Sequence, residues 1–161
     1  MPALISLRAV VDALEMQNDQ CGAYLDPKTG EILTVTHEDE KMIEEGYDEA
    51  ELPQWQVDSL KATREFLQRG GLLLLPSAFE IHEWQIMNDF AEEQKNDRTR
   101  YILSRALHGS GAFRHFKHAL YDLGIEKAWF QYRSQALEEI AREWLEHKHL
   151  PYTRAGGADS Q

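Results

Sequence analysis

The residues best suited to bind a ligand surround a glycine-rich turn in the second half of the chain. Gly109, Ser110 and Gly111 precede a predicted helix, whose first-turn N–H groups and positive dipole end favour an anion. Arg114 and Lys117 lie three residues apart and therefore project from about the same face of that helix. Arginine binds a carboxylate or phosphate through two parallel hydrogen bonds, and glycine lets a ligand oxygen approach the backbone. The pattern predicts a site for a small anion, including a phosphate-bearing ligand, or for an acidic peptide.

This turn lies within a basic stretch, residues 98–121. The stretch contains five Arg or Lys side chains and no Asp or Glu, so its net charge is +5. Histidines add groups that titrate near neutral pH. The further candidate ligand-binding residues of the basic stretch are Arg105, His115 and His118.

The same turn also has a purely structural interpretation. Gly109 would end one helix and Ser110 would cap the next, because the joint between two helices usually carries a glycine. Arg114 and Lys117 would then be surface side chains paired with nearby carboxylates. The turn lacks the Lys-Ser/Thr ending of a Walker loop and the third glycine of a dinucleotide-binding motif, so neither motif is predicted.

A second candidate interaction surface is acidic. Residues 38–51 contain eight Asp or Glu side chains and one Lys, a net charge of −7 out of −11 for the whole chain. The acidic partner surface, which would recognise a basic protein, comprises Glu44, Glu45, Asp48 and Glu49. The alternative is a solvated helix and loop, since most runs of charge are solvated.

The histidines and the cysteine show no spacing typical of a metal or catalytic site. His115 and His118 are three residues apart, and His147 and His149 lie near the end of the last predicted helix. Neither pair has a carboxylate or thiolate at a recognisable spacing. Cys21 is the single cysteine and has no local sign of activation. We predict no metal site and no cofactor, and no residue is assigned a catalytic role.

Composition places these candidate residues in a soluble globular protein. The chain has 161 residues, of which 42% are hydrophobic and 28% charged, which excludes collagen-like, coiled-coil and wholly disordered proteins. A net charge of −11 argues against nonspecific binding to nucleic acid or to an anionic membrane. Because no apolar run approaches the roughly 20 residues needed to cross a bilayer, and no secretory signal is visible, we expect a cytoplasmic protein.

Hydrophobic periodicity and turn residues predict the elements that position these residues. A first helix covers Leu7–Met16, and a hairpin over 23–35 turns at Pro27 and Gly30. Leu72–Leu75 is a predicted third strand, since a lone hairpin is only marginally stable. Capping patterns at Thr36 with Asp39 and at Ser77 with Glu80 open two helices, a helix follows Pro53, and further helices span about 99–107, 112–123 and 126–147.

Aromatic residues at helical spacing predict the core of the second half. The predicted core positions include Trp84, Met87, Phe90, Phe113, Phe116, Leu120, Trp129 and Trp144, whereas Trp55 is expected to be partly exposed. The fold class is α+β, predominantly helical, with an N-terminal helix, a small antiparallel sheet built on a hairpin and about four C-terminal helices. Residues 1–150 are predicted to form this single domain, and residues 151–161 a disordered tail.

A longer motif combines the turn with the helix that follows it, Gly109-x-Gly111-Ala112-Phe113-Arg114-x-Phe116-Lys117. Trp84-x-Ile86-Met87-x-x-Phe90 precedes this motif and the run from Leu137 to Leu145 follows it. In this combination the chain resembles an uncharacterised bacterial family of the UPF series with a GxGAFRxFK core, over nearly its whole length to Leu150. The resemblance implies a small bacterial cytoplasmic protein of unknown function and supplies no catalytic residue. The positions to test first are Gly109, Gly111, Phe113, Arg114, Phe116 and Lys117.

These observations favour a non-enzymatic interaction or regulatory module with an anion-binding turn at residues 109–117. The alternative is an enzyme or ligand-binding protein that acts on a phosphate- or carboxylate-bearing small molecule. The expected partner is a protein or a small anion, and the oligomeric state is not indicated. The sequence leaves open whether the basic stretch binds a ligand or pairs with the acidic stretch.

Overall fold

Helices dominate the computed structural model, which describes residues 3–153 apart from the side chain of Phe79. The helices are α1 (Leu7–Met16), α2 (His37–Glu45), α3 (Gln54–Leu67), α4 (Ala78–Ile81), α5 (Glu83–Glu92), α6 (Asp97–Ala106), α7 (Ala112–Leu123) and α8 (Glu126–His147). The strands are β1 (Cys21–Leu25), β2 (Ile32–Thr36) and β3 (Leu73–Leu74), and a 3₁₀ turn spans Glu49–Glu51. The predicted α+β class is confirmed, as are the N-terminal helix and the C-terminal set of helices.

The small sheet has β1 at its centre. Its strand order is β2-β1-β3, and both pairings are antiparallel, with Leu25 opposite Ile32 on one side and Leu73 on the other. Gly30 takes φ +84° in the hairpin turn, a value that glycine adopts readily. The predicted third strand is reduced to two paired residues, and one further backbone hydrogen bond from Leu75 to Ala23 continues it.

Two helix starts have the side-chain caps that the sequence predicts. Thr36 Oγ1 accepts a hydrogen bond from the Asp39 amide at 3.0 Å, at the start of α2. At α4, the Ser77 hydroxyl accepts from the Glu80 amide at 3.1 Å while the Glu80 carboxylate accepts from the Ser77 amide at 2.8 Å. These local bonds satisfy N–H groups that have no partner within the helix, which is why the starts were predictable from single residues.

A buried carboxylate closes the hairpin turn. Asp26 accepts hydrogen bonds from the Lys28 amide and from Arg69 Nη1, both at 3.0 Å. Arg69 also donates to Glu31 at 2.6 Å, so it links the turn to the connection between α3 and β3. Burial by itself would raise the pKa of Asp26, but the hydrogen bonds from Lys28, Arg69 and Thr29 outweigh it and lower that pKa.

The first and last described segments meet beside the core. The Ile5 amide donates to the Pro151 carbonyl at 2.9 Å, and the Thr153 amide donates to the Ile5 carbonyl at 2.8 Å. Ile5 and Tyr152 thereby form a parallel bridge, and α1 packs along α8. The predicted disordered tail is therefore wrong for residues 151–153, because their backbone groups pair with Ile5. Residues 154–161 lie outside the described residues.

Three aromatic side chains from three helices form the centre of the helical core. Phe90 of α5, Phe116 of α7 and Trp129 of α8 are all buried and meet edge to face. The ring centroids lie 5.1 Å apart for Phe116 and Trp129, 5.4 Å for Phe90 and Trp129, and 6.4 Å for Phe90 and Phe116. Each such pair contributes about 0.5–1.5 kcal/mol beyond its burial, so this cluster fixes how the three helices are spaced.

Two predicted core positions are wrong. Trp84 is 39% exposed and Phe113 is 50% exposed. The helix predicted from Ser77 breaks at His82, which takes φ +59°, so the apolar stripe that begins at Ile81 does not continue through Trp84. Phe113 lies in the first turn of α7, where the inward side chain is Phe116 of the following turn.

We expect Asp26→Asn to lower the free energy of unfolding by about 1–2 kcal/mol at pH 7, because the amide turns an N–H donor or a neutral oxygen toward Arg69. Since the folded-state pKa of Asp26 is lowered, this contribution is present above its ordinary value of 3.8 and is lost as the pH falls below it. Urea titrations of both proteins at pH 7 and near pH 3 measure the difference.

The matched control is Glu31→Gln, which removes the exposed carboxylate partner of Arg69 and should change stability little. A loss for Asp26→Asn that is equal at both pH values would contradict the lowered pKa.

Candidate functional site

A surface groove of about 870 Å³ lies where the end of α1 borders α4, α5, α7 and α8. Its floor is apolar and is formed by the buried side chains Leu14, Ile81, Met87, Phe116 and Trp129. We call this cavity the aromatic groove. Its volume is within the range of known ligand sites, which are mostly apolar with a few polar groups.

Three aromatic side chains on the rim of the aromatic groove remain exposed to solvent. Trp84 is 39%, Phe113 is 50% and Phe130 is 61% exposed, and all three line the groove. The Trp84 indole N–H donates to the Leu107 carbonyl at 3.0 Å, so this ring is held in place. Exposed aromatic side chains around a concave apolar surface are typical of binding sites.

An ion pair joins α5 to α8 in the wall of the groove. Arg133 Nε lies 2.7 Å from Glu83 Oε2, and Arg133 Nη2 lies 3.1 Å from Glu83 Oε1, a two-pronged arrangement. Both side chains are partly buried. The hydrogen bond to Glu83 raises the pKa of Arg133, and desolvation acts in the opposite direction. The two charges neutralise each other, so the pair adds polarity and rigidity to the wall without a net charge.

Lys117 is the sequence-predicted binding residue that also lines the groove. It is exposed, and within residues 3–153 it forms no ion pair. Beside the end of α1 the groove is lined by two carboxylates, Asp19 and Glu15, of which Glu15 pairs with Arg8 at 3.6 Å. The groove is therefore electrically polarised, with its positive end at α7.

Gln17 is a polar residue of the groove that sequence reasoning missed. It directly follows α1, lines the groove and is 9% exposed. Neither its Oε1 nor its Nε2 has a hydrogen-bond partner among the described residues. Leaving a buried polar group unpaired costs about 1–3 kcal/mol, and most buried polar side chains are paired. A sequence signal exists, since Gln17 continues the apolar stripe of Leu7, Val10 and Leu14 at the same spacing.

The backbone conformation of the predicted turn requires its two glycines. Gly109 takes φ +84° and Gly111 takes φ +76°, in the left-handed region that other residues rarely adopt. The structural interpretation is wrong in its details, because α6 ends at Ala106, well before Gly109, and Gly111, rather than Ser110, precedes α7 without a side-chain cap. A methyl group on Gly111 would lie 3.4 Å from the His115 ring.

The other predicted binding residues do not line the groove with Lys117. Arg105 stacks over the Tyr101 ring, 5.8 Å from its centroid, and donates to the Tyr101 hydroxyl at 3.1 Å. Arg114, His115 and His118 are exposed on α7. Arg114 has no ion pair with the part of the chain that the structure covers, so the interpretation that Arg114 and Lys117 pair with nearby acids is also wrong.

The acidic partner surface lies on α2 and the turn that follows it. Glu44, Glu45, Asp48 and Glu49 are all exposed, and of these four only Glu49 forms an ion pair, with Lys61 at 3.7 Å. Among the described residues, no ion pair connects the acidic and the basic stretch. Within the two stretches, Glu49 pairs with Lys61 and Arg100 with Asp97, and the other charged side chains form no ion pair with a described residue.

Residues 3–153 contain neither a metal-binding cluster nor a helix suited to span a membrane. No group of three or more His, Cys, Asp or Glu side chains is placed to hold a metal ion there. No helix among these residues combines the length and the apolar character needed to span a membrane.

The model of the Uncharacterised protein family (UPF0158) matches residues 1–156. The chain belongs to this family. The UPF0158 protein PA5073 of Pseudomonas aeruginosa (strain PAO1) is 27% identical over 143 residues, which cover 87% of this chain and 82% of the relative. No solved structure matches the chain. Membership of UPF0158 confirms the resemblance drawn from the sequence, and it leaves the function to be argued from the groove.

We expect Gly111→Ala to lower the free energy of unfolding by about 1–2 kcal/mol, because alanine would have to adopt φ +76° beside His115. Thermal denaturation of the purified protein measures the change. Gly70→Ala is the matched control, since Gly70 has open space around it and no positive φ, and it should cost no more than about 0.5 kcal/mol. If both variants were equally stable, the backbone role of Gly111 would be refuted.

Proposed function

We propose that this UPF0158 protein is a cytoplasmic, non-enzymatic interaction module that binds an acidic, partly apolar segment of a partner protein in the aromatic groove. One observation carries the proposal. Lys117, a cation without an ion pair among the described residues, lines the same groove as three exposed aromatic side chains. The site thus combines an apolar surface with an uncompensated positive charge.

The apolar part of the segment would contact the floor and the rim. An aliphatic or aromatic side chain entering the groove would rest on Phe116 and Trp129 and remove the exposed faces of Phe113 and Phe130 from water. Each Å² of apolar surface buried in this way contributes about 25 cal/mol. At protein interfaces, much of the binding energy also comes from aromatic residues around a central pocket.

The charges of the groove determine where the acidic part of the segment binds and how the segment is oriented. Glu83 and Arg133 neutralise each other, and Glu15 pairs with Arg8 at 3.6 Å, so the unpaired charges of the lining are Lys117 on α7 and Asp19 beside the end of α1. An Asp or Glu of the partner is therefore attracted to the α7 end and repelled from the α1 end.

The positive charge also extends beyond the groove. Arg114 is exposed and unpaired within the described chain, and no side chain caps the first turn of α7, which leaves its N–H groups as further anion donors. A phosphate- or carboxylate-bearing small molecule, the alternative substrate class, fits the groove volume. A peptide is favoured because a chain that leaves the groove along α7 can reach Arg114 as well.

We expect short random peptides displayed on phage and selected on the immobilised protein to share an apolar residue next to Asp or Glu. Lys117→Glu should weaken the binding of a selected synthetic peptide about tenfold or more, because attraction becomes repulsion. Isothermal titration calorimetry measures the affinity, which should also fall with added salt.

Lys127→Glu is the matched control, because it makes the same charge change on an exposed residue of α8 that does not line the groove. Phe130→Ala tests the apolar contact and should weaken peptide binding. The protein should remain folded, because the Phe130 side chain is exposed. The proposal fails if no peptide is selected, or if Lys117→Glu and Lys127→Glu affect binding equally.

The acidic partner surface is a second candidate interaction site. It is favoured by the exposure of Glu44, Glu45 and Asp48, none of which has an ion pair among the described residues. Its partner would be basic and would bind independently of the groove. In the same selection, basic peptides would depend on these carboxylates and not on Lys117.

A further inference from the structure

We infer that the segment bound in the aromatic groove comes from a second copy of this chain, and that it is the exposed stretch of residues 48–55. We call this stretch the docking segment. The inference rests on the proposed function for the binding of an acidic, partly apolar segment in the groove. It names the partner and therefore predicts that the protein associates with itself.

The docking segment has the composition that the groove requires. It contains three carboxylates, Asp48, Glu49 and Glu51, together with Trp55, and it has no Lys or Arg. All of its residues are exposed except Leu52, which is partly buried. Trp55 is 71% exposed, the highest value among the aromatic side chains that the structure describes. Tryptophan is among the residue types that contribute most to binding at protein interfaces.

Local hydrogen bonds hold the docking segment in a defined conformation. The Asp48 carboxylate accepts from the Ala50 amide at 3.0 Å, and the Glu51 amide donates to the Asp48 carbonyl at the same distance. Pro53 precedes α3, and Trp55 lies in the first turn of that helix. Because the segment is ordered before it binds, it loses little conformational entropy on association.

The charges of the two surfaces are opposite. Glu49 pairs with Lys61 of its own chain at 3.7 Å, whereas Asp48 and Glu51 form no ion pair with a described residue. Lys117 in the groove likewise has none within residues 3–153. Two whole molecules, each with a net charge of −11, repel each other, so contact is favoured where these opposite charges meet.

The docking segment does not lie in the groove of its own chain. None of the residues between β1 and the start of α4 lines the groove. The segment connects α2 to α3, and both helices pack on β2 and on each other. It is therefore presented to other molecules, and the partner that it fits is the groove of another copy.

The contact joins two different surfaces of the same protein and is therefore heterologous. It closes into a dimer if two copies exchange docking segments, and it otherwise continues into larger assemblies. In both cases each contact needs one intact groove and one intact segment. Asp48 and Glu49 also belong to the acidic partner surface, so the inference assigns that surface a partner.

Sedimentation velocity of the full chain tests the inference. The parent protein should form assemblies whose proportion rises with concentration. Lys117→Glu damages the groove and Trp55→Ala damages the docking segment, so each should raise the dissociation constant about tenfold or more. An equimolar mixture of the two variants should form a heterodimer, because one contributes an intact segment and the other an intact groove.

Two variants serve as matched controls. Lys127→Glu makes the same charge change as Lys117→Glu on an exposed residue of α8 outside the groove. Tyr121→Ala removes an aromatic side chain that is 70% exposed and that lies outside both the groove and the docking segment. Both controls should associate like the parent protein, and circular dichroism checks that every variant is folded.

Three results would overturn the inference. They are a parent protein that stays monomeric up to about 1 mM, self-association that Lys117→Glu and Trp55→Ala leave unchanged, and a mixture of these variants that forms no heterodimer. If the groove still binds a selected acidic peptide through Lys117, the proposed function stands despite any of them. If no peptide is selected and the mixture does not associate, both ideas fail.

Discussion

Edge-to-face packing of Phe90, Phe116 and Trp129 sets the distances between α5, α7 and α8, and the aromatic groove depends on those distances. Phe116 and Trp129 belong to the core and to the groove floor at once. The floor is consequently as closely packed as the interior and does not have to become ordered when a ligand binds. The entropy cost of binding then falls mainly on the ligand and on the exposed rings at the rim.

Elements with local end signals were predictable from the sequence, whereas features created by tertiary contacts were not. The bounds of α1, α7 and α8 agree with apolar periodicity, and Gly111 and Gly124 flank α7. The helix breaks at a histidine, His82, and not at a glycine or proline. Its positive φ was therefore not predictable from the residue type. Lys117 of the basic stretch lines the groove, but four separate parts of the chain build that groove, and only their packing brings Gln17 there.

The distribution of charge matters more for recognition than the net value of −11. Because the acidic and basic stretches do not pair within residues 3–153, the molecule presents two fields of opposite sign to its surroundings. Such fields act over about a Debye length, roughly 8 Å at physiological salt, and orient an approaching partner before contact. They influence the association rate and the choice of partner more than the lifetime of a complex.

The pairing of Ile5 with Pro151 and Thr153, together with the packing of α1 along α8, has a consequence for synthesis on the ribosome. The apolar face of α1 emerges long before the helix that covers it, so it stays uncovered while the middle of the chain is being translated. Contacts this distant along the chain also slow folding, because a long loop must close first. The nascent protein therefore completes its core only after α8 has left the exit tunnel.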